Sequence, residues 1–203
     1  MEHEQSNEVH ITQKNKQGLG KTLLLYVHDL SYLIAVMMIV FLLLFRVVVV
    51  SGTSMEDTLK NGDYLLLLSN VFYTEPKPGD VIVASKDSFE NGIPIVKRVI
   101  AVGGQTVRIE TSSGNVYVDG ELVEEKYIFD DPYYTYDRDY EVTVEDGCIF
   151  VMGDHRRVSS DSRNAQIGQL DNREVLGKAI FLFLPGADPA TKERDFSRIK
   201  VLP

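Results

Sequence analysis

The stretch VVVVSGTSMEDTL, residues 47–59, stands between two regions of different character. A long apolar segment lies before it, and short apolar runs separated by turn residues follow it. Its first four residues are β-branched and favour an extended strand, whereas the glycine and serines that come next favour a turn. The stretch therefore predicts a strand that enters a β-rich region and ends in a turn containing Ser54.

The apolar segment upstream has the length of a membrane span. Residues 33–45 are all apolar, and the stretch that begins at residue 23 reaches the roughly 20 residues that a bilayer requires if His28 and Asp29 lie near the interface. We expect one transmembrane helix over residues 22–46. A cleavable signal peptide is one alternative, but no small-x-small cleavage site follows the segment. A buried core helix is another, but the run is apolar on all sides.

Charges on the two sides of this segment predict its orientation. Three lysines precede it, at positions 14, 16 and 21, and Glu56 and Asp57 follow it. Positive residues stay on the cytoplasmic side, so we expect residues 1–21 to form an irregular cytoplasmic tail and residues 47–203 to be exported. Arg46 opposes this bias, and we expect its side chain to snorkel to the outer interface. The chain is thus expected to be a single-pass protein of the cell membrane, in contact with the lipid bilayer.

Downstream of residue 47 the hydrophobic pattern changes to period two. Eight runs of strand length are bounded by Gly, Pro, Asn or Asp. They predict a mainly β domain, closed or sandwiched, because so many short strands otherwise leave edges exposed. Residues 106–123 predict a hairpin that turns at 112–115, within a smaller non-catalytic insertion at about 105–147. The acidic, tyrosine-rich residues 124–140 are typical of a surface excursion.

The composition argues against several classes of protein. The formal net charge is −9, and no basic stripe is present, so we expect no nucleic-acid partner. Cys148 is the single cysteine, which excludes an intrachain disulfide and a redox CxxC pair. The four histidines are scattered without metal-ligand spacing. We therefore expect neither a metal site nor a cofactor.

A lysine within an apolar strand is the second chemical signal. In IPIVKRVIAV, residues 93–102, Lys97 alternates with Ile95 and Val99 on one face of the predicted strand. Such a lysine either points outward from an edge or is desolvated. Desolvation would lower the pKa of its ammonium and make it a usable base, which the guanidinium of Arg98 cannot be. A third signal is the density of Ser, Asp and Arg over residues 152–168.

Six motifs in this order resemble the bacterial type I signal peptidases, the membrane-bound Ser/Lys leader peptidases of peptidase family S26. The motifs are SGTSMEDTL (51–59), NGDYLLLL (61–68), KPGDVIVA (77–84), IVKRVIAVGG (95–104), FVMGDHRRVSSDSR (150–163) and VLGKAIFLFLP (175–185). The resemblance implies the β-rich, LexA-like signal-peptidase fold after one N-terminal transmembrane helix. It also implies a serine endopeptidase that cleaves N-terminal signal peptides from exported preproteins.

The same resemblance assigns roles to individual residues. The serine of the Ser-Met pair, Ser54, is the implied nucleophile, and the lysine of the Lys-Arg pair, Lys97, is the implied general base. Ser159 is implied to orient the lysine. Asp154, Asp161 and Arg163 are implied to hold the site together.

Substrate contacts follow from position in the family pattern. Shallow pockets for small residues at the −1 and −3 positions would be lined by Val50, Met55, Leu59, Ile95 and Val96. Gly52 stands where some members carry a serine whose hydroxyl donates to the oxyanion, so the oxyanion hole would depend on the Ser54 backbone N–H. Further departures are GDHR in place of GDNR, Val158 in place of an asparagine, and VGGQ in place of LPGD.

Three other interpretations compete with this one. His155 could complete a Ser/His/Asp triad, but it falls on a family asparagine, so a surface or supporting histidine is favoured. A self-cleaving repressor of the LexA type shares Ser/Lys chemistry, but here a membrane segment stands in place of a DNA-binding domain. A non-enzymatic, membrane-anchored binding module is the third.

Overall fold

The structure is a computed structural model that describes residues 2–129 and 140–203, with side chains from residue 22 onward except at position 90. The chain divides into two compact units, residues 1–43 and residues 44–203. The predicted surface excursion at 124–140 lies largely outside the described residues.

Apart from its last residue, the helix α1, which spans Glu2–Leu44, lies in the first unit. Its part Thr22–Leu44 has 23 residues, is long and apolar enough to cross a bilayer, and has no buried residue. The helix differs from the expectation at both ends. Residues 2–21 are helical instead of irregular, and the helix ends at Leu44 instead of residue 46. It stops there because the next residues already pair as a strand, with Phe45 opposite Leu68.

The second unit is built from short strands, as the period-two pattern predicts. Its strands are β1 Phe45–Val49, β2 Tyr64–Ser69, β3 Val81–Ala84, β4 Ile95–Val102, β5 Thr106–Ile109, β6 Val116–Val118, β7 Glu121–Leu122, β8 Tyr140–Thr143, β9 Cys148–Met152, β10 Leu170–Asp171, β11 Val175–Leu184 and β12 Lys200–Val201. Short 3₁₀ helices lie at Glu90–Gly92, Asn172–Glu174 and Phe196–Arg198. The fold is therefore mainly β, with one N-terminal apolar helix.

The larger sheet is antiparallel and has the strand order β1-β2-β11-β3-β4-β9-β10, with β12 paired to β11. Among the described residues, β1 and β10 are its ends, so its ladder does not close into a barrel. The long strand β11 pairs with both β2 and β3 and carries bulges. A Cβ at Gly177 would lie 2.3 Å from the Leu68 carbonyl oxygen, which explains why a glycine stands at this crossing.

The smaller sheet has the order β7-β6-β5-β8 and lies within the predicted insertion. The predicted hairpin is confirmed, because β5 and β6 pair antiparallel with Ile109 opposite Val116. A core cluster around Phe150 and Val107 packs the two sheets together. Two further clusters fill the larger sheet, one around Leu65 and Leu182 and one around Ile82 and Val151.

Candidate active site

Ser54 lies in the loop that follows β1, and this loop is held at both ends. The Val50 N–H donates to the Asp63 carbonyl at 2.8 Å, and the Gly62 N–H donates to the Val50 carbonyl at 2.8 Å. Met55 and Leu59 are buried in the core directly after the serine. These anchors leave the Ser54 side chain half-buried at the surface of the loop.

Lys97 reaches this serine from the middle of the larger sheet. It lies in β4 opposite Ile82 of β3, and only 4% of its surface is exposed. Its Nζ donates a hydrogen bond of 2.7 Å to Ser54 Oγ. Burial disfavours the charged ammonium, and the same distance suits the reverse bond, in which the serine hydroxyl donates to a neutral amine.

A loop after β9, residues 153–163, contacts the backbone of Ser54. The His155 N–H donates to the Ser54 carbonyl at 3.0 Å. Gly153 permits the close approach, since a Cβ there would lie 2.4 Å from the Ser54 carbonyl oxygen and 2.3 Å from Ser159 Oγ. The Ser159 hydroxyl is buried beside Ser54 and lies near the Asp161 carboxylate. Its role in orienting Lys97 stays a prediction.

Arg98, the neighbour of Lys97, forms a buried ion pair with Asp154. Its Nε and one terminal nitrogen donate to the two carboxylate oxygens at 2.8 and 2.7 Å, and both side chains are almost fully buried. The same guanidinium also donates to the Gly79 carbonyl and to the Thr58 hydroxyl. The pair thus ties β4 to the loop that supports Ser54.

Asp161 and Arg163 form a second buried pair in the same loop. Arg163 donates to both carboxylate oxygens, at 2.7 and 2.8 Å, and the Gly153 N–H donates to Asp161 at 2.9 Å. Burial alone would raise the pKa of Asp161. The Arg163 guanidinium, the Gly153 amide and the nearby Ser159 hydroxyl outweigh it and hold the pKa below its usual range.

His155 has a supporting position in the described structure. Its Nδ1 lies 3.5 Å from Glu56 Oε2, and its ring packs against the ring of Phe129 with centroids 4.6 Å apart. Its backbone N–H, as described above, contacts the Ser54 carbonyl. The nitrogen that contacts the Ser54 hydroxyl at 2.7 Å belongs to Lys97.

Gly52 lies two residues before Ser54 with φ +94°. Its N–H donates to Asn61 Oδ1 at 3.0 Å. A Cβ at this position would meet no atom within 4 Å, so the space around it is open. The glycine is therefore required by the backbone conformation and not by crowding.

The residues predicted to line substrate pockets fall into two groups. Val50, Met55 and Leu59 are buried in one core cluster, whereas Ile95 and Val96 are partly exposed at the start of β4. Residues 95–97 pair with β3 on one side, and the pairing of β4 with β9 begins only at Arg98. Their membership in substrate pockets stays a prediction.

A cavity of about 570 Å³ opens beside the serine loop. Thr53, Glu56 and Asn61 line it on one side, and Phe129 and Pro189 line it elsewhere. It provides room for a ligand beside Thr53, the residue before Ser54. Among the residues whose side chains the structure describes, no three His, Cys, Asp or Glu lie together as a metal site would require.

Some supporting residues were missed at the level of sequence. Arg156 is buried and forms a bidentate ion pair with Glu125, and the ring of Tyr127 lies 3.9 Å from the Arg98 guanidinium carbon. Glu125 and Tyr127 belong to a stretch predicted to be a surface excursion. Nothing in EEKYIF marks them, because an acidic, polar stretch has the composition of an exposed loop.

Comparison with known proteins identifies relatives over most of the chain. A family model described as signal peptidase, peptidase S26, matches residues 23–184. A probable signal peptidase I-1 from Synechocystis sp. is 37% identical over 145 residues, which are 68% of this chain and 70% of the relative. A signal peptidase I from Bacillus licheniformis is 30% identical over 183 residues, 86% of this chain and 96% of the relative. A crystal structure of a signal peptidase I from Enterococcus faecalis aligns with a TM-score of 0.43 and 28% identity, over 51% of this chain and 96% of that one.

Proposed function

The chain belongs to the signal peptidase family, peptidase S26, and from this premise we propose that Ser54 and Lys97 are its nucleophile and general base. The enzyme is then a membrane-bound serine endopeptidase that cleaves N-terminal signal peptides from exported preproteins. The observation that carries the assignment is the 2.7 Å hydrogen bond between Lys97 Nζ and Ser54 Oγ.

The reaction proceeds in two steps of acyl transfer. The neutral amine of Lys97 accepts the hydroxyl proton of Ser54, and Oγ attacks the scissile carbonyl carbon. When the tetrahedral intermediate collapses, the C–N bond breaks and the lysine returns the proton to the leaving amine. A water molecule, deprotonated by the same lysine, then attacks the acyl carbon. The ester bond to Ser54 Oγ breaks, the lysine returns the proton to Oγ, and the signal peptide is released.

The oxyanion of each tetrahedral intermediate needs hydrogen-bond donors. We assign one donor to the backbone N–H of Ser54. Gly52 provides no side-chain donor, and its own N–H is already donated to Asn61. A second donor is therefore expected from another group. The open space around Gly52 is where a serine hydroxyl would lie in some members of the family.

The preprotein is expected to bind in an extended conformation. Residues 95–97 lack a β9 partner in the described ladder, and β1, which leads to the nucleophile, is at the end of the sheet. Both features support addition of the substrate as a strand. Shallow apolar pockets built from the residues named above would favour small side chains at the −1 and −3 positions. The cavity beside Thr53 has room for residues after the scissile bond.

Membrane attachment follows from the apolar helix, and its orientation from flanking charge. Thr22–Leu44 fits an anchor in length and composition. The lysines at positions 14, 16 and 21 support an orientation with the N-terminus in the cytoplasm and the β-rich unit outside it. The catalytic unit would then meet preproteins as they leave the membrane.

The deciding experiment uses the full chain in detergent and a preprotein with an Ala-x-Ala cleavage site. The wild type should release the signal peptide, and Ser54→Ala should not. Ser160→Ala, a change at an exposed serine, controls for serine loss in general and should cleave normally. Cleavage by Ser54→Ala would refute the nucleophile assignment. If the wild type cleaves itself but not the preprotein, a LexA-type protein would be favoured. If the wild type cleaves neither, a binding module would be favoured.

A further inference from the structure

A short segment after β7, residues 125–129, contacts the catalytic loops from outside them. We call this segment the brace. It lies in the part of the chain predicted to be a non-catalytic insertion, and three of its residues bind the site: Glu125, Tyr127 and Phe129.

The first contact is the buried ion pair between Glu125 and Arg156. Side-chain exposure is 6% for the carboxylate and 0% for the guanidinium. Arg156 also donates from Nε to the Gly153 carbonyl at 3.0 Å, and its own carbonyl accepts from Arg163. Gly153 lies directly against the Ser54 carbonyl. The Glu125 carboxylate therefore helps to fix, through Arg156, the loop that contacts Ser54.

The second contact reaches the strand of the lysine. Tyr127 stacks its ring 3.9 Å from the guanidinium carbon of Arg98, and its hydroxyl donates to Glu125 at 3.0 Å. Arg98 directly follows Lys97 and pairs with Asp154. The Phe129 N–H donates to the Asp154 carbonyl at 3.2 Å, so the brace contacts both partners of that pair.

We propose that the brace is a positioning element for catalysis, in which Glu125 and Tyr127 hold β4 and residues 153–156 at the separation that keeps Lys97 on Ser54. This inference rests on the proposed function of Ser54 and Lys97. A carboxylate and a guanidinium buried together are weak evidence for stability alone, because desolvation offsets their attraction. A directional pair is well suited to fixing geometry, and a displacement of about 1 Å can cost up to about 100-fold in rate.

The test is steady-state cleavage of the preprotein by the full chain in detergent, comparing Glu125→Gln with Glu124→Gln. Glu124 is exposed and pairs only with Lys126 on the surface among the described contacts, so its change should leave kcat unaltered. In folded Glu125→Gln we expect kcat to fall by about 10- to 100-fold with little change in KM. Removal of the Glu125 negative charge should also disfavour the Lys97 ammonium and move the rise of kcat/KM to lower pH. Glu125→Asp should recover part of the loss.

A folded Glu125→Gln that retains the wild-type kcat and pH profile would overturn the proposal. So would a loss of kcat that only parallels a lower melting temperature, with the pH profile unchanged. If Glu125→Gln does not fold, variants of Tyr127 provide the test. Tyr127→Leu should have a lower kcat, whereas Tyr127→Phe, which keeps the ring on Arg98, should retain more of it. A wild-type kcat in both variants would refute the proposed role of the brace. Activity of Ser54→Ala would instead refute the proposed function, so the two failures are distinguishable.

Discussion

Lys97 Nζ and Ser54 Oγ are 2.7 Å apart although 43 residues separate them in the chain. The pairing of β4 with β3 sets the position of the lysine, and the buried residues after Ser54 set the position of the serine. Alternation along β4 sends the next side chain, Arg98, to Asp154 instead. Two adjacent basic side chains therefore have different partners, one a hydroxyl and the other a carboxylate.

Replacement of Lys97 tests the general base. We expect Lys97→Ala to abolish preprotein cleavage while the circular dichroism spectrum stays that of the wild type. Lys97→Arg should not restore activity, because arginine keeps its proton at any accessible pH. In the wild type, kcat/KM should rise with pH as the ammonium loses its proton.

The matched change is His155→Ala, which should retain most activity, because the nitrogen on the Ser54 hydroxyl belongs to the lysine. If Lys97→Ala were active and His155→Ala inactive, His155 and not Lys97 would be the general base, and the protein would be a Ser/His enzyme.

Substitution at Gly52 tests whether this position faces the oxyanion. Because its φ is +94°, both Gly52→Ser and Gly52→Ala should be strained, by about 1 kcal/mol. The two variants share this strain and differ in the hydroxyl alone. We expect kcat of Gly52→Ser to exceed that of Gly52→Ala. The difference in activation free energy should be at most the roughly 3 kcal/mol that one oxyanion donor contributes. Equal kcat values for the two folded variants would mean that a side chain at position 52 does not reach the oxyanion.

Removal of Asp154 tests the buried pair beside the lysine. Asp154→Ala leaves the Arg98 guanidinium buried without its carboxylate, which should lower the free energy of unfolding by about 3–5 kcal/mol. Urea denaturation in detergent, followed by tyrosine circular dichroism, measures the change. Asp146→Ala, at an exposed position, should alter stability by less than about 0.5 kcal/mol. Similar effects of the two changes would show that the pair contributes nothing to stability.

Acid should destabilise the protein partly through Asp161. Its pKa is lowered in the folded state, so its contribution is fully present above the unfolded pKa of about 3.9 and is lost as the pH falls through the lower folded value. Asp161→Asn should therefore be less stable than the wild type at neutral pH, and its stability should fall less steeply below about pH 4. Urea midpoints over a pH series measure both effects, and parallel acid profiles would contradict the assignment.

Orientation in the membrane can be tested on intact cells. Added protease should digest the β-rich unit after Val50 and leave the N-terminal segment protected, since the lysines before the span are expected to keep that end inside. Tags at the two termini report which part survives, and lysed cells provide the control in which both are digested. A protected C-terminal tag on intact cells would reverse the orientation.

Local patterns predicted the elements of this fold, and the structure differs where tertiary pairing intervenes. The period-two runs predicted strands, and the hairpin at 112–115 was found as expected. The helix end was misplaced because Phe45 already pairs with Leu68. No local signal identified Glu125 and Tyr127, whose acidic stretch has the composition of a surface loop although both side chains pack against arginines.

By itself the sequence determined the class of the molecule: an apolar helix, a mainly β unit and, through six ordered motifs, membership of the signal peptidase family. The helix and the strands depend on periodicity and residue type along the chain, so they can be read locally, whereas the family membership rests on the resemblance of the motifs. Tertiary structure alone decided which side chains meet. Ser54, Lys97 and residues 153–163 come from three separate segments, and only strand pairing and core packing bring them together. The partners of Arg98 and Arg156 were decided in the same way, since a buried cation takes the carboxylate that the fold places beside it.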